Sequence, residues 1–288
     1  MGVISLPGRI RVLATDGHTT AVILEDDSLY SCRHSYTWES ELLSAPERPV
    51  QVAVGTHNLL VITESGKLYN HGSNYYDNPE QEMKFDRTLR SVPIPESVVA
   101  AAGGYNFSAA VGQSGKLYLF GDLNYTMYGP MEPRSGITLI PLPGRAVSVV
   151  AGYYHVVVLL ENGELYGCGN TDGGTLGIVD DVPKRQVIQL KVPERVIQVE
   201  AGPGLTLAIG ESGKLYGFGA VFLEYGSVVK LPVHIPFSKP VLAVATGFCQ
   251  IMVTTDPDEV HIFNQNRYCP SVITKDRISP EPTIVSLS

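Results

Sequence analysis

The stretch AGYYHVVVLLENGELYGCGN, residues 151–170, decides the fold of this chain. It holds two short runs of β-branched and apolar residues, HVVVLL and ELYGCG, which are joined through Asn162-Gly163. Asn-Gly between two such runs is a strong signal for a tight β-hairpin, because both residues readily adopt positive φ angles. A third run, VSVVAG at residues 147–152, comes just before them. The stretch therefore predicts three short antiparallel strands.

Similar stretches recur along the whole chain. Strong copies begin at Val50, Val98 and Val196, and weaker copies begin at Ile10 and Val241. The apolar residue that opens the third run recurs at separations of 39, 49, 48, 50 and 45, at Leu29, Leu68, Leu117, Leu165, Leu215 and Val260. Two glycines are always 11 residues apart in the four strongest copies, at Gly55 and Gly66, Gly104 and Gly115, Gly152 and Gly163, and Gly202 and Gly213. Such fixed internal spacing indicates a repeat protein.

Each unit also has a fourth β-rich run, of which ITLIPL at residues 137–142 is an example. Four short antiparallel strands that repeat about every 48 residues are typical of a propeller blade. We therefore expect an all-β protein whose residues 1–288 form a single β-propeller domain. Its predicted units are residues 9–48, 49–96, 97–145, 146–195, 196–239 and 240–270, followed by a closing segment at 271–288.

The pattern A-G-x-x-H-x-x-x-L-x-x-x-G-x-L-Y resembles the repeat of the regulator-of-chromosome-condensation family of β-propellers, and residues 151–170 match it best. The resemblance covers about residues 9–266. His155 alone fills the family's histidine slot, and no tryptophan fills the aromatic slot of the last strand, so the chain resembles a divergent member.

The predicted number of blades depends on how the C-terminal residues 271–288 are counted. The family's propellers usually have seven blades, whereas six full units can be counted here. The end of the tail, PEPTIVSLS, is similar to PERVIQVEAG at residues 193–202, where a unit begins. We therefore expect seven blade positions with a reduced last blade. A six-bladed ring closed by the two termini is the alternative.

Strand direction assigns the loops to two faces. In an antiparallel blade, the turn after each Ala-Gly motif and the connection that leaves the Leu-Tyr strand lie on one side. We call this side the connection face. The Ser-Gly and Asn-Gly hairpins and the short proline turns lie on the opposite side, which we call the hairpin face.

The connection face carries the irregular residues of the sequence. Its longest connection, SNYYDNPEQEMKFD at residues 73–86, is rich in tyrosine, asparagine and aspartate, which are typical of protein-recognition surfaces. The alternative is that these are solvated loops whose aromatic rings fold back on the blades. The candidate partner-binding residues are Tyr75, Tyr76, Asp77, Asp122, Tyr125, Tyr153 and Tyr154.

Other repeat positions have structural interpretations. Gly55, Gly104, Gly152 and Gly202 recur at the ends of equivalent strands, where the absence of Cβ permits close packing or a positive φ. His155 is interpreted as a side chain that hydrogen-bonds to backbone within its own blade.

The resemblance implies a non-enzymatic propeller that binds another protein, and more specifically guanine-nucleotide exchange on a small GTPase. In that case a loop wedge loosens the nucleotide site while the propeller does no covalent chemistry, and residues 73–86 are the candidate wedge. A scaffold or inhibitor propeller without exchange activity is one alternative. An enzyme with a site in the central channel is another, and it would need a cluster of acid, base or metal-ligand side chains there.

Composition restricts the partners. With Gly 29, Pro 20, 44% hydrophobic and 17% charged residues in 288, the chain is globular and rich in turns. The chain has 21 Lys and Arg residues against 29 Asp and Glu residues, which gives a net charge of −8. Proteins that bind nucleic acids usually carry positive charge to neutralise the phosphates, so we expect no direct nucleic-acid contact. No run of 18 apolar residues and no C-terminal cysteine occurs, so we expect a cytoplasmic protein without a membrane span or lipid anchor.

Side chains with reactive chemistry are few and scattered. The four cysteines form no CxxC pair, and the seven histidines have no ligand-like spacing. We therefore expect no catalytic residues, no metal site and no cofactor. Cys32 and Cys168 share a repeat position with Phe120 and Phe218, which predicts that they are small core residues.

Overall fold

The computed structural model describes residues 5–16, 18–34, 38–72, 86–123, 136–220, 228–247, 250–257, 259–264 and 283–286. They form six separate sheets, each of four antiparallel strands in sequence order. The first three sheets contain β1 (Ile10–Thr15), β2 (Thr19–Leu24), β3 (Leu29–His34) and β4 (Trp38–Leu43); β5 (Pro49–Val54), β6 (Asn58–Thr63), β7 (Leu68–Gly72) and β8 (Asp86–Val92); β9 (Val98–Gly103), β10 (Phe107–Gly112), β11 (Leu117–Gly121) and β12 (Ile137–Ile140).

The last three sheets contain β13 (Ala146–Ala151), β14 (His155–Leu160), β15 (Leu165–Gly169) and β16 (Lys184–Leu190); β17 (Val196–Gly202), β18 (Leu205–Gly210), β19 (Leu215–Gly219) and β20 (Val229–Ile235); β21 (Ala243–Thr246), β22 (Gln250–Asp256), β23 (Glu259–Asn264) and β24 (Thr283–Ser286). One short 3-10 turn, Asp172–Gly174, lies between β15 and β16. The part of the chain that the structure describes has no helix with the length and apolar character of a membrane span.

The sheets are the blades of a six-bladed propeller, so the expectation of seven blade positions is wrong and the alternative of six is confirmed. The tail does not start a seventh blade, because β24 pairs antiparallel with β23, with Val260 opposite Val285. It thus supplies the outermost strand of the sixth blade. The likeness of the tail to the start of a unit did not decide its pairing; the free edge of β23 did. Among the described strands, the two ends of the chain do not share a sheet.

Apolar side chains pack between neighbouring blades. In the third, fourth and fifth blades, the second strand is buried on both faces, because a neighbouring blade packs against each face of the sheet. These strands are β10, β14 and β18. Phe120 and Phe218 fill two of these interfaces and are completely buried. Cys32 and Cys168 are also buried, which confirms that they are core residues. Burial raises the pKa of the Cys168 thiol to about 12, so it stays protonated at neutral pH.

The hairpins on the hairpin face are held by glutamates from the proline turns. Glu194 Oε1 accepts hydrogen bonds from the hydroxyls of Ser212, at 2.8 Å, and Tyr216, at 2.9 Å, and Oε2 accepts one from the Ser212 backbone N at 3.0 Å. Glu96 makes the same three bonds to Ser114 and Tyr118 in the third blade. The turn before each of these blades is therefore tied to the hairpin of the same blade.

This contact has a pH-dependent contribution that can be measured. Burial raises the pKa of Glu194, but the bonds from Ser212 and Tyr216 outweigh it, and the net pKa is lowered. A lowered pKa stabilises the fold above the unfolded value of about 4.3, and this stabilisation is lost as pH falls through the folded value. We expect Glu194→Gln to lower the free energy of unfolding by about 1 kcal/mol at pH 7 in urea titrations. The difference should shrink as pH falls below the unfolded value and through the lowered folded value. Glu211→Gln, an exposed acid of the same hairpin, should have no effect.

Candidate functional site: the connection face and the central cavity

Backbone hydrogen bonds confirm the predicted arrangement of the connection face. The first residue of a long connection donates to the turn after the blade's first strand, as Asp122 N does to Asn106 O, Asn170 N to Tyr154 O and Ala220 N to Gly204 O, each at 2.8 Å. The turns and the long connections therefore lie on one side of the ring. Neighbouring blades are also linked here, because Tyr105 N donates to Tyr153 O at 3.1 Å.

Four aromatic rings meet on this face. Tyr105 lies at the centre, with ring-centroid distances of 5.0 Å to His57, 5.6 Å to Tyr153 and 5.5 Å to Tyr154. Tyr153 and Tyr154 are 6.0 Å apart. We call these four residues the tyrosine cluster; they belong to three consecutive blades, and all four are half-buried. Tilted and edge-on rings at such distances stabilise one another and form a rigid apolar surface.

Three of the seven predicted partner-binding residues are among the residues that the structure describes. Tyr153 and Tyr154 come together in the tyrosine cluster. Asp122 opens the connection after β11, where its backbone N makes the bond to Asn106. Tyr75, Tyr76, Asp77 and Tyr125 lie outside the described residues, as does nearly all of the candidate wedge at 73–86.

The described connection between β15 and β16 folds back on the blades. Leu176 is fully buried in the core between the fourth and fifth blades, and Thr175 O accepts a hydrogen bond from Thr206 Oγ1 at 2.8 Å. At its outer end, the Asp181 carboxylate forms an ion pair with Lys230 Nζ of the fifth blade. This connection therefore packs against its own blade and the fifth blade.

His155 connects two blades. Its Nε2 lies 3.1 Å from Thr206 Oγ1, and both side chains are buried. The ring also makes a hydrogen bond to the backbone of Leu205. The expected backbone partner thus exists but lies in the fifth blade and not in the blade of His155, because the slot lies at a blade interface. Asn58 fills the same slot in the second blade and donates to Ser108 Oγ of the third at 2.7 Å. Burial lowers the pKa of His155 to about 4, so the ring is neutral at physiological pH.

Three of the four repeat glycines are required by close packing. A Cβ on Gly152 would lie 2.1 Å from His155 Cε1 and 2.5 Å from Gly202 O, and a Cβ on Gly55 would lie 2.6 Å from Gly104 O. A Cβ on Gly104 would lie 2.0 Å from Phe107 Cε1. Gly202 differs, because its nearest neighbour would be Leu205 Cγ at 3.4 Å. None of the four has a positive φ; the hairpin glycines, such as Gly163 at 84°, do.

The innermost strands of all six blades surround a central cavity of about 520 Å³. Its wall is mostly alanine, valine and glycine, and it includes Tyr153 of the tyrosine cluster. Among the described lining residues, the charged side chains are two acids, Asp16 of the first blade and Glu200 of the fifth; lysine, arginine and histidine are absent. In the described ranges, no three histidine, cysteine or acidic side chains are placed to hold a metal ion.

The cavity extends between the first and sixth blades. Leu13 of β1 is 53% exposed, whereas the matching residues Val149 and Val199 are 4% and 3% exposed because the preceding blade covers them. Met252 of β22 lines the cavity from the other side and is 36% exposed. Leu13 and Met252 are therefore not covered as the matching residues of the other blades are.

The carboxyl groups of Glu200 and Asp16 have different surroundings. Burial raises the pKa of Glu200 to about 7, although Gln198 donates a hydrogen bond to it. Asp16 Oδ1 accepts bonds from the backbone N of His18 and of Thr19, both at 2.8 Å. Its Oδ2 is buried without a hydrogen-bond partner, as is the hydroxyl of Thr56 in the cavity wall.

Tyr105, His57, Asp16 and Glu200 were not among the site residues predicted from the sequence. A signal existed for two of them. Tyr105 follows Gly104 as Tyr153 follows Gly152, and Glu200 interrupts a strand whose counterparts at that position are Ala53, Ala102, Val150 and Ala245.

Comparison with known proteins identifies the repeat. Residues 146–174 match the model of the regulator of chromosome condensation (RCC1) repeat. The Homo sapiens protein named regulator of chromosome condensation is 28% identical over 154 residues, which are 49% of this chain and 35% of that protein. The guanine nucleotide exchange factor SRM1 of Saccharomyces cerevisiae is 26% identical over 144 residues, 46% of this chain and 30% of that protein. The matches thus span about a third of these relatives.

Solved structures share the fold over more of the chain. Human WBSCR16 superposes with a TM-score of 0.84 at 17% identity, covering 98% of this chain and 84% of that one. Prp20p from Saccharomyces cerevisiae, whose structure was reported with its binding properties to Gsp1p and histones, gives a TM-score of 0.76 at 17% identity, with 88% and 72% covered. At these identities the likeness concerns the fold.

Proposed function

Because the chain is a divergent RCC1-like propeller, we propose that it binds another protein through the connection face, that the partner is a small GTPase and that binding promotes guanine-nucleotide exchange. The observation that carries the proposal is the tyrosine cluster. Its rings lie on the irregular face of the ring, next to the mouth of the cavity. Tyrosine buries a large area with little loss of rotamer freedom, which suits an anchor in a protein interface.

The names of two similar proteins support the choice of partner. One relative is a guanine nucleotide exchange factor, and Prp20p was studied for its binding to Gsp1p. The net charge of −8 would steer the propeller toward a basic surface. Exchange requires no covalent chemistry from the propeller, because a partner that binds the nucleotide-free GTPase more tightly than the loaded form shifts the equilibrium toward nucleotide release.

Release of a fluorescent guanine nucleotide from candidate small GTPases tests this proposal. We expect the wild-type protein to accelerate release, and the Tyr75→Ala, Tyr76→Ala, Asp77→Ala triple variant to lose this effect with an unchanged melting temperature. Lys214→Ala, an exposed residue on the hairpin face, should remain active. Capture of a GTPase without faster release would leave a scaffold and refute exchange. Control of capture by the hairpin-face lysines would show that the wrong face had been chosen.

A further inference from the structure

The central cavity offers negative charge without any positive charge to balance it. Asp16 and Glu200 are the charged groups in its described wall, and they come from different blades. Glu200 replaces the alanine or valine that the other blades hold at this position, so the repeat itself does not require an acid here. A carboxylate in an apolar wall is costly unless a cation or several donors satisfy it.

Two oxygens at the cavity wall also lack a donor. Asp16 Oδ2 and Thr56 Oγ1 are both buried without a hydrogen-bond partner, and both residues lie at the connection-face end of their strands. Buried oxygens are normally satisfied, so these two leave the wall around Asp16 without its usual hydrogen bonds.

The surroundings favour an organic cation carried on a flexible stem. Tyr153 lines the cavity and belongs to the tyrosine cluster, whose ring faces attract cations. The alanine and valine wall is suited to the methylene stem of a long side chain. A cavity of about 520 Å³ accommodates a lysine or arginine side chain with room for water.

We propose that the central cavity binds a basic side chain, lysine or arginine, which the protein partner inserts from the connection face between Asp16 and Glu200. This inference rests on the proposed function, because it assigns to the same partner a contact at the centre of the face. The ammonium or guanidinium group donates to the two carboxylates, and the tyrosine cluster surrounds the point of entry.

Binding of the cation should depend on pH through Glu200. The other ionisable groups of the described wall are the Asp16 carboxyl and the Tyr153 phenol. With a pKa of about 7, Glu200 is largely neutral at pH 5.5 and ionised at pH 8. The cation binds the ionised form, so we expect affinity to rise about ten-fold between these pH values.

The test uses n-butylammonium chloride as a mimic of the lysine side chain and n-butanol as its neutral match. Binding of each to the full chain is measured at pH 5.5 and at pH 8 by ligand-observed NMR. We expect wild type to bind n-butylammonium, with n-butanol at least ten-fold weaker, and Glu200→Gln to weaken n-butylammonium about ten-fold and abolish the pH dependence. Glu211→Gln, an exposed acid of the same blade, should behave as wild type. If Glu200→Gln does not fold, Asp16→Asn provides the same comparison.

Equal binding of n-butanol and n-butylammonium, or undiminished n-butylammonium binding by Glu200→Gln, would overturn the inference. The proposed function fails separately. Partner capture that depends on the tyrosines but not on Glu200 would keep the binding face and remove the basic side chain from the cavity.

Discussion

Replacement of Gly152 by alanine should lower the free energy of unfolding by about 3 kcal/mol or more. The new methyl group would lie 2.1 Å from the buried imidazole of His155 and 2.5 Å from the carbonyl oxygen of Gly202 in the next blade. Neither can retreat easily, because His155 is held by Thr206 and Gly202 belongs to a strand of the fifth blade. Gly152→Val, with a larger side chain, should be worse.

Gly202→Ala is the matched control for this prediction. It occupies the same repeat position in the next blade, yet its Cβ would meet Leu205 Cγ at 3.4 Å, an ordinary contact. We expect its effect to stay below about 1 kcal/mol. Thermal and urea unfolding of both variants measure the difference. Equal stability of wild type and Gly152→Ala would show that this approach of the two blades is not tight.

Loss of partner capture is the second large effect. Alanine at both Tyr153 and Tyr154 removes two of the four rings of the tyrosine cluster and leaves Tyr105 without its neighbours in the fourth blade. Aromatic anchors of this kind each cost about 2 kcal/mol or more when truncated, which is about 30-fold in affinity. The double variant should therefore bind its partner more than 30-fold more weakly, and about 1,000-fold more weakly if the two losses add. Capture from solution at several concentrations measures the loss.

Two comparisons separate a lost contact from a lost fold. The double variant should keep its circular dichroism spectrum, because both rings are half-buried on the surface and lie outside the cores between blades. Lys67→Ala and Lys214→Ala on the hairpin face should bind as wild type does. Unchanged binding by the tyrosine variant would move the recognition surface away from the cluster.

The strands and hairpins of the blades could be predicted from the sequence, because they depend on residues that are close together in the chain. The turn at Asn162-Gly163 and the β-branched and apolar runs beside it depend on residues within about six positions of each other, so they can be recognised without knowing the fold. The same locality places the connections on a common face, because antiparallel strands of known order alternate in direction. The all-β class and the two faces follow from these features.

Contacts between distant segments were decided only by the tertiary structure. β24 joined β23 because that edge was free, and this reduced the expected seven blade positions to six. His155 meets Thr206, 51 residues away, and Tyr105 meets Tyr153, because equivalent positions of neighbouring blades face each other. Asp16 and Glu200 share one cavity only because closely packed blades bring all their inner strands to one axis. No spacing in the sequence reports such a meeting, since it depends on how whole blades pack.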